Sequence, residues 1–317
     1  MRHHSNPIVV LLFLISMRAV AFAQAWTPPK GEGYVSLTFT DTFTKDHFLS
    51  SGAKIDIGHI RSVSLVPEVD FGLTDRLAMD FALPIVAAKY YGPDPHQIPY
   101  DNGSYHGGTQ DFSFGARYNW LRRPLMVTPF VRLGVPSRGY TYFAHSAVGT
   151  GQRESAFGIA LGHQSEIWLP NAYFQAAFSY GIVQKVIGIR PNRSHMILEG
   201  GYSISRRLTL RALAESQITN GGLNIPQDYP GGPADYPNPP NLRWSHHDQI
   251  SNVNFLNLGG GFDMALTGGW DVYGTAFNTV WGQNGHAVRG LAVGLSWKFR
   301  TSWARVNHLR ETSPETR

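Results

Sequence analysis

The sequence predicts an all-β fold, a transmembrane antiparallel β-barrel of about twelve strands with short periplasmic turns and long extracellular loops. Three observations carry this. Apolar side chains recur at every second position through runs of roughly ten to thirteen residues, the period of a strand. The connections between runs alternate between very short and long. Aromatic rings collect near the ends of the runs, where a membrane interface would hold them. Of 317 residues, 42% are hydrophobic and 15% charged, and the mean hydropathy is −0.20. Beyond the N-terminus no stretch reaches the ~18 apolar residues of a membrane helix, so any crossing falls to strands.

The first element is a leader. Arg2 is followed by an apolar run from Ile8 to Met17, and Ala21-Phe22-Ala23 precedes Gln24 as a small-x-small cleavage signal. Cleavage after Ala23 is expected, because the apolar run is too short to span a bilayer and Arg18 interrupts it. Residues 24–33 then form a periplasmic N-terminal segment. The formal charge of +5 falls to +3 without Arg2 and Arg18, too small a surplus to suggest nucleic acid. The chain has no cysteine, which excludes disulfides, thiolate metal sites, a cysteine nucleophile and a lipid-modified cysteine anchor.

From Tyr34 onward the alternation places strands at about 34–43, 61–72, 76–87, 109–120, 125–134, 154–168, 172–183, 194–204, 208–219, 250–265, 270–281 and 287–299. Leu77, Met79, Phe81 and Leu83 share one face, with Ala78, Asp80 and Ala82 on the other. Phe112, Phe114, Tyr118 and Trp120 likewise oppose Asp111, Ser113, Arg117 and Asn119. A soluble sandwich would show the same alternation, so the connections decide. Short turns at 73–76, 121–124, 169–172, 205–207 and 266–269 alternate with longer connections at 44–60, 88–108, 135–152, 184–193 and 220–249, and a lesser one at 282–286. Short turns on one rim and long loops on the other mark an outer-membrane barrel. Tyr90, Tyr91, Trp120, Trp168, Tyr202, Trp270, Trp281 and Trp297 supply the interfacial rings.

The last run, RGLAVGLSWKF, carries Gly294, Trp297 and Phe299 in the spacing of the C-terminal signal read by the barrel-assembly machinery, with Ala292 where a polar residue is usual. Residues 300–317 form a periplasmic tail. The succession GLTDRLAMDFALPIV (72–86), GGTQDFSFGARYNWL (107–121) and TPFVRLGVPSRG (128–139) resembles the outer-membrane transporter family known as "MetA-pathway of phenol degradation" proteins. Thr109-Gln110-Asp111 and Val135 to Gly139 depart from that family's Gly-Asp and Pro-Thr-Gly patterns, and after Gly139 only the strand pattern is shared. The resemblance implies a barrel that passes small solutes, aromatic or hydrophobic ones included.

With the apolar face toward lipid, the interior receives Glu68, Asp70, Asp80, Asp111, Arg117, Arg132, Glu166, Glu199, Arg211, Glu215, Asp263, Asp271 and Lys298. A barrel of this size is too wide for apolar side chains to fill, so these residues either line an acid-leaning polar pore or pair into a network that braces a closed barrel. The Pro-, Gly- and Tyr-rich loop 220–249 is long enough to cover the mouth. His246, His247 and Asp248 lie together, but adjacent histidines on an extended loop diverge, so no metal and no cofactor is expected. His163 and Ser165 have the spacing of an outer-membrane lipid A deacylase pair. They fall toward the periplasmic side, with Gln164 and Glu166 on the other face, so no enzyme is expected. Gly259-Gly260-Gly261 opens no helix and relieves crowding in a curved wall. The function that fits is a channel or passive transporter for small solutes. The alternative is a structural or adhesion barrel that binds partners through loop tyrosines Tyr229 and Tyr236. The expected partners are outer-membrane lipid and lipopolysaccharide, the assembly machinery and a small-molecule solute.

Overall fold

The computed structural model describes residues 25–301, apart from 94, 166, 168, 226–227 and 229–241. Fourteen strand segments, all paired antiparallel, make one closed sheet. They are β1 (Glu32–Phe48), β2 (Lys54–Gly72), β3 (Leu77–Ala82), β4 (Ile85–Tyr91), β5 (His106–Thr109), β6 (Asp111–Tyr118), β7 (Met126–Pro136), β8 (Glu154–Ser165), β9 (Ala172–Val183), β10 (Asn192–Ser203), β11 (Leu208–Asn220), β12 (Asn254–Ala265), β13 (Trp270–Gln283) and β14 (Gly285–Arg300). β1 pairs with both β14 and β2, which closes the wall and leaves no edge.

Fourteen segments make twelve staves. β3 and β4 are one strand broken at Leu83-Pro84, and β2 pairs with both in a single register. Pro84 has no N–H for the ladder, which explains the gap inside the expected strand 76–87. β5 and β6 are likewise one strand. The β4–β5 register is displaced by one residue from β3–β6, and Gln110 is the extra residue, its N–H donating to Pro84 O at 2.9 Å.

The structure corrects several boundaries. The expected loop 44–60 is mostly strand, because β1 and β2 run on to a turn at 49–53. The expected connection 282–286 shrinks to Asn284, which takes a left-handed φ of 52°. The barrel begins at Glu32 rather than Tyr34, β8 ends at Ser165, and Ile250 belongs to a short helix, α1 (His247–Ile250), rather than to a strand. The periplasmic turns form through hydroxyl caps. Thr74 Oγ1 accepts the Arg76 and Leu77 N–H groups, and Ser205 Oγ accepts those of Arg207 and Leu208.

The two faces separate as the alternation requires. Phe39, Met79, Phe114, Leu133, Phe157, Phe174, Leu210, Leu258 and Leu291 are exposed on the outer wall, while Ser36, Thr209, Gln217, Asn257, Thr275, Thr279 and Ser296 are buried inside. That is the inverse of a soluble core and the arrangement a lipid solvent favours. Trp120, Tyr202, Trp270, Trp281, Trp297 and Tyr91 are exposed outward. Tyr90 is not. It is 1% exposed and faces inward, because neighbours in a strand cannot share a face. Trp168 lies outside the described residues. Of the C-terminal triplet, Trp297 is exposed outward against Trp270, Phe299 stacks parallel to Phe71 at 6.1 Å, and Gly294 leaves the space that the Tyr273 ring occupies.

Candidate functional site: the barrel interior

The closed wall encloses a polar interior, the face onto which the sequence places its charged residues. Twelve of the thirteen charged residues expected there are described, and the strand pattern puts them on the inner face. Glu166 lies outside the described residues. The twelve do not stand as a free ring of charge. Arg117, 5% exposed, donates to Asp70 at 2.7 Å and to Asp80 at 3.5 Å, and Arg132 reaches the other oxygen of Asp80 at 3.3 Å. β2, β3, β6 and β7 are neighbours in the wall, so their inward charges meet side by side.

A second centre forms on β10, β11 and β12. The side chain of Arg211 is fully buried, 3.2 Å from Glu199 and 2.6 Å from Asp263, and it donates to Thr275 Oγ1 at 3.1 Å. The Asp263 contact is a charge contact rather than an aligned hydrogen bond. Glu199 also accepts from the Tyr173 hydroxyl at 2.7 Å and Gln175 Nε2 at 3.1 Å. Lys298 pairs with Glu32 at 2.8 Å, Asp111 accepts from the Tyr140 hydroxyl, and Glu215 accepts from Asn257 at 3.2 Å. Glu68 and Asp271 complete the set.

The N-terminal segment does not stay outside the barrel. Thr128 Oγ1 and Asn119 Nδ2 donate to the Ala25 carbonyl at 2.6 and 3.3 Å, and Arg117 Nε donates to the Trp26 carbonyl at 3.4 Å. The Trp26 ring meets Tyr173 edge-on at 6.1 Å. Ala25 is fully buried against Ala160 and Ala177, and a side chain at Gly162 would come within 2.7 Å of its Cβ. Gly31 N–H donates to Gly72 O, so the segment leaves β1 beside β2 and reaches across the lumen to β6–β9. Its signal in the sequence is thin: an apolar Ala-Trp pair next to the expected cleavage position.

At the opposite end, residues between strands fold into the mouth. Asp101 organises them, accepting backbone N–H groups of His96, His145 and Ser146 at 2.9–3.0 Å. His96 stacks on His145 at 3.6 Å, and His145 stacks on Tyr90 at 4.2 Å. His47 lies 3.9 Å from His286, and Trp244 stacks on His247 at 4.4 Å. Burial and the surrounding imidazoles hold His96 well below the ordinary imidazole pKa, so it is neutral. Residues 246–248 are not an extended loop. His246 N–H closes a tight turn onto Arg243 O, and α1 begins at His247. His246 faces Tyr142 and Gln249, while His247 turns inward. Five histidines, at 47, 96, 145, 247 and 286, are thus gathered from loops and strand ends too far apart in sequence for any spacing rule to join them.

His163 and Ser165 are committed elsewhere. His163 Nδ1 lies 3.2 Å from Pro124 O, and Ser165 Oγ accepts the Leu169 N–H at 3.0 Å.

No family model and no curated protein matches the chain. Among solved structures it is similar to the COG4313 outer membrane channel from Pseudomonas putida F1, with 13% identity, 89% of this chain and 100% of that one covered, and a TM-score of 0.67. Weaker likenesses are a NanC porin, at 10% identity over 83% and 100% of the two chains with a TM-score of 0.48, and the β-domain of the Bordetella autotransporter BrkA, at 15% over 85% and 100% with 0.47. The chain is a closed, twelve-strand outer-membrane β-barrel.

Proposed function

We propose that this barrel is a passive channel for small solutes, aromatic or hydrophobic ones included, with no enzymatic role. The observation that carries the reading is the polar inner wall. A barrel selected only for stability gains nothing from burying Arg211, Asp263, Gln217 and Asn257, since buried ion pairs are weak contributors to stability. Acids outnumber bases among the inward charges, which favours cations. In planar bilayers under a KCl gradient, we expect a small conductance with reversal potential on the K⁺ side. A purified, folded barrel that never conducts would overturn the channel reading. The pairing of the charges and the filling of both ends would then favour the second reading, a non-conducting structural barrel that presents its surface loops.

Lipopolysaccharide is the lipid partner we propose. Arg289, Phe43, Arg61 and Lys89 are cross-strand neighbours in one row across β14, β1, β2 and β4, on the outer wall near the loop end. They border a groove of about 640 Å³ with Asp41 and Tyr91. Three cations and one carboxylate suit the phosphates of an outer-leaflet lipid. The double variant Arg61→Ala, Arg289→Ala should copurify with severalfold less lipopolysaccharide, measured by mass spectrometry of the purified barrel. Equal amounts would remove the groove as the contact.

A further inference from the structure

We propose that the extracellular mouth contains a divalent transition-metal site formed by His96, His247 and Asp248. The ligating atoms of these three residues all lie within 4.8 Å of one another. Two imidazoles and one carboxylate suit Zn²⁺ and its first-row neighbours, not Ca²⁺ or Mg²⁺, which take oxygen ligands.

The tautomers and the surrounding atoms point the same way. His247 Nδ1 is 2.8 Å from the Trp244 carbonyl, which accepts its proton and leaves the Nε2 lone pair free of it. That Nε2 lies 3.2 Å from Asp248 Oδ1. A backbone carbonyl orienting the second nitrogen is the usual support for a metal-bound histidine. His96 Nδ1 is buried with no hydrogen-bond partner, a cost that a ligand would remove. Asp101 holds the His96 backbone in place through its N–H, at 2.9 Å.

The fold supplies the enclosure. A bulge between Thr44 and Asp46 in β1 reverses which residues face inward, and His47 thereby turns to meet His286 and His145 behind the three ligands. Tetrahedral Zn²⁺ with bonds of about 2.0–2.1 Å keeps its ligands about 3.4 Å apart, so His247 and Asp248 already stand at that spacing and His96 would close by at most about 1.4 Å. His96 belongs to the connection after β4, while His247 and Asp248 belong to α1 before β12. The ion would therefore tie two surface loops to each other across the mouth. Three protein ligands leave a fourth position open for water or a further donor.

The test uses the full mature chain without an affinity tag, folded in detergent, and is independent of whether the barrel conducts. Zn²⁺ is titrated by calorimetry, and Co²⁺ by the visible d–d bands of a tetrahedral site. We expect one ion per chain, with affinity reduced at least about tenfold by His96→Ala and by Asp248→Asn, and unchanged by His163→Ala at the other end of the barrel. Heat-modifiable gel migration verifies that each variant is folded, and Asp248→Asn, which preserves shape, carries the test where His96→Ala does not fold. Absence of saturable binding, or equal binding by wild type and Asp248→Asn, would overturn the site.

Discussion

Arg211→Ala is expected to destabilise the barrel by about 3–5 kcal/mol, the range for removing one member of a buried ion pair. The cause is what remains. Glu199 and Asp263 would face each other across the cavity left by a fully buried guanidinium, and Thr275 would lose a donor. Unfolding in urea from lipid vesicles, or the temperature at which the folded gel band is lost, measures the effect. Combining Arg211→Met with Glu199→Gln and Asp263→Asn removes all three charges together and should recover most of the loss. If the triple variant is as unstable as Arg211→Ala, shape rather than charge pairing holds this part of the wall.

The second large effect concerns the N-terminal segment. On the proposed channel reading, deleting residues 24–28, or replacing Trp26 with Ala, should raise single-channel conductance on the order of twofold or more, because the segment occupies lumen cross-section. Trp26 is the bulkier part of the obstruction, held by Tyr173 on β9, and Ala25 anchors it to Thr128 and Asn119. Because the segment lies beside Arg117, its removal should also alter K⁺ over Cl⁻ preference more than a loop deletion would. An unchanged conductance would place the narrowest point at the other end, among the loops.

Much of this architecture is legible in the sequence, and the reason is physical. A lipid-facing wall with a polar interior forces every strand into the same period, so Phe174, Phe178 and Tyr180 announce their face without any long-range information. The inward charges follow from the same parity. Their pairing does not, because Asp70, Asp80, Arg117 and Arg132 come from four staves, and alternation fixes the face of each residue but not the register between staves. Boundaries failed where polar residues continue a strand beyond the lipid. Thr44 to Phe48 and Lys54 to Ile60 carry Lys, Asp and His in place of a clean apolar alternation, yet they pair antiparallel on both sides of one irregularity opposite Lys45. The entry of Ala25 and Trp26 was illegible because the groups that receive them, Thr128, Asn119 and Tyr173, read as ordinary inward polar residues. The histidine assembly depends on loop folding, which leaves no periodic trace.

The uneven strand lengths shape the molecule's outer profile. β1 and β2, at 17 and 19 residues, joined to β14 at 16, rise roughly 40–50 Å at a tilt of about 40°, well above an apolar band of about 25 Å. On the far side, β8, β9 and β10 have 12 residues each. The barrel therefore carries a tall palisade along one flank and a low sill along the other. The palisade tip receives the long loop: Ser50 N–H donates to Ile225 O at 3.0 Å, and Asn284 accepts the Ile225 N–H at 2.7 Å while donating to Asn252 O at 2.8 Å. The described ends of the long loop are thus fastened to the hairpin crests of β1–β2 and β13–β14.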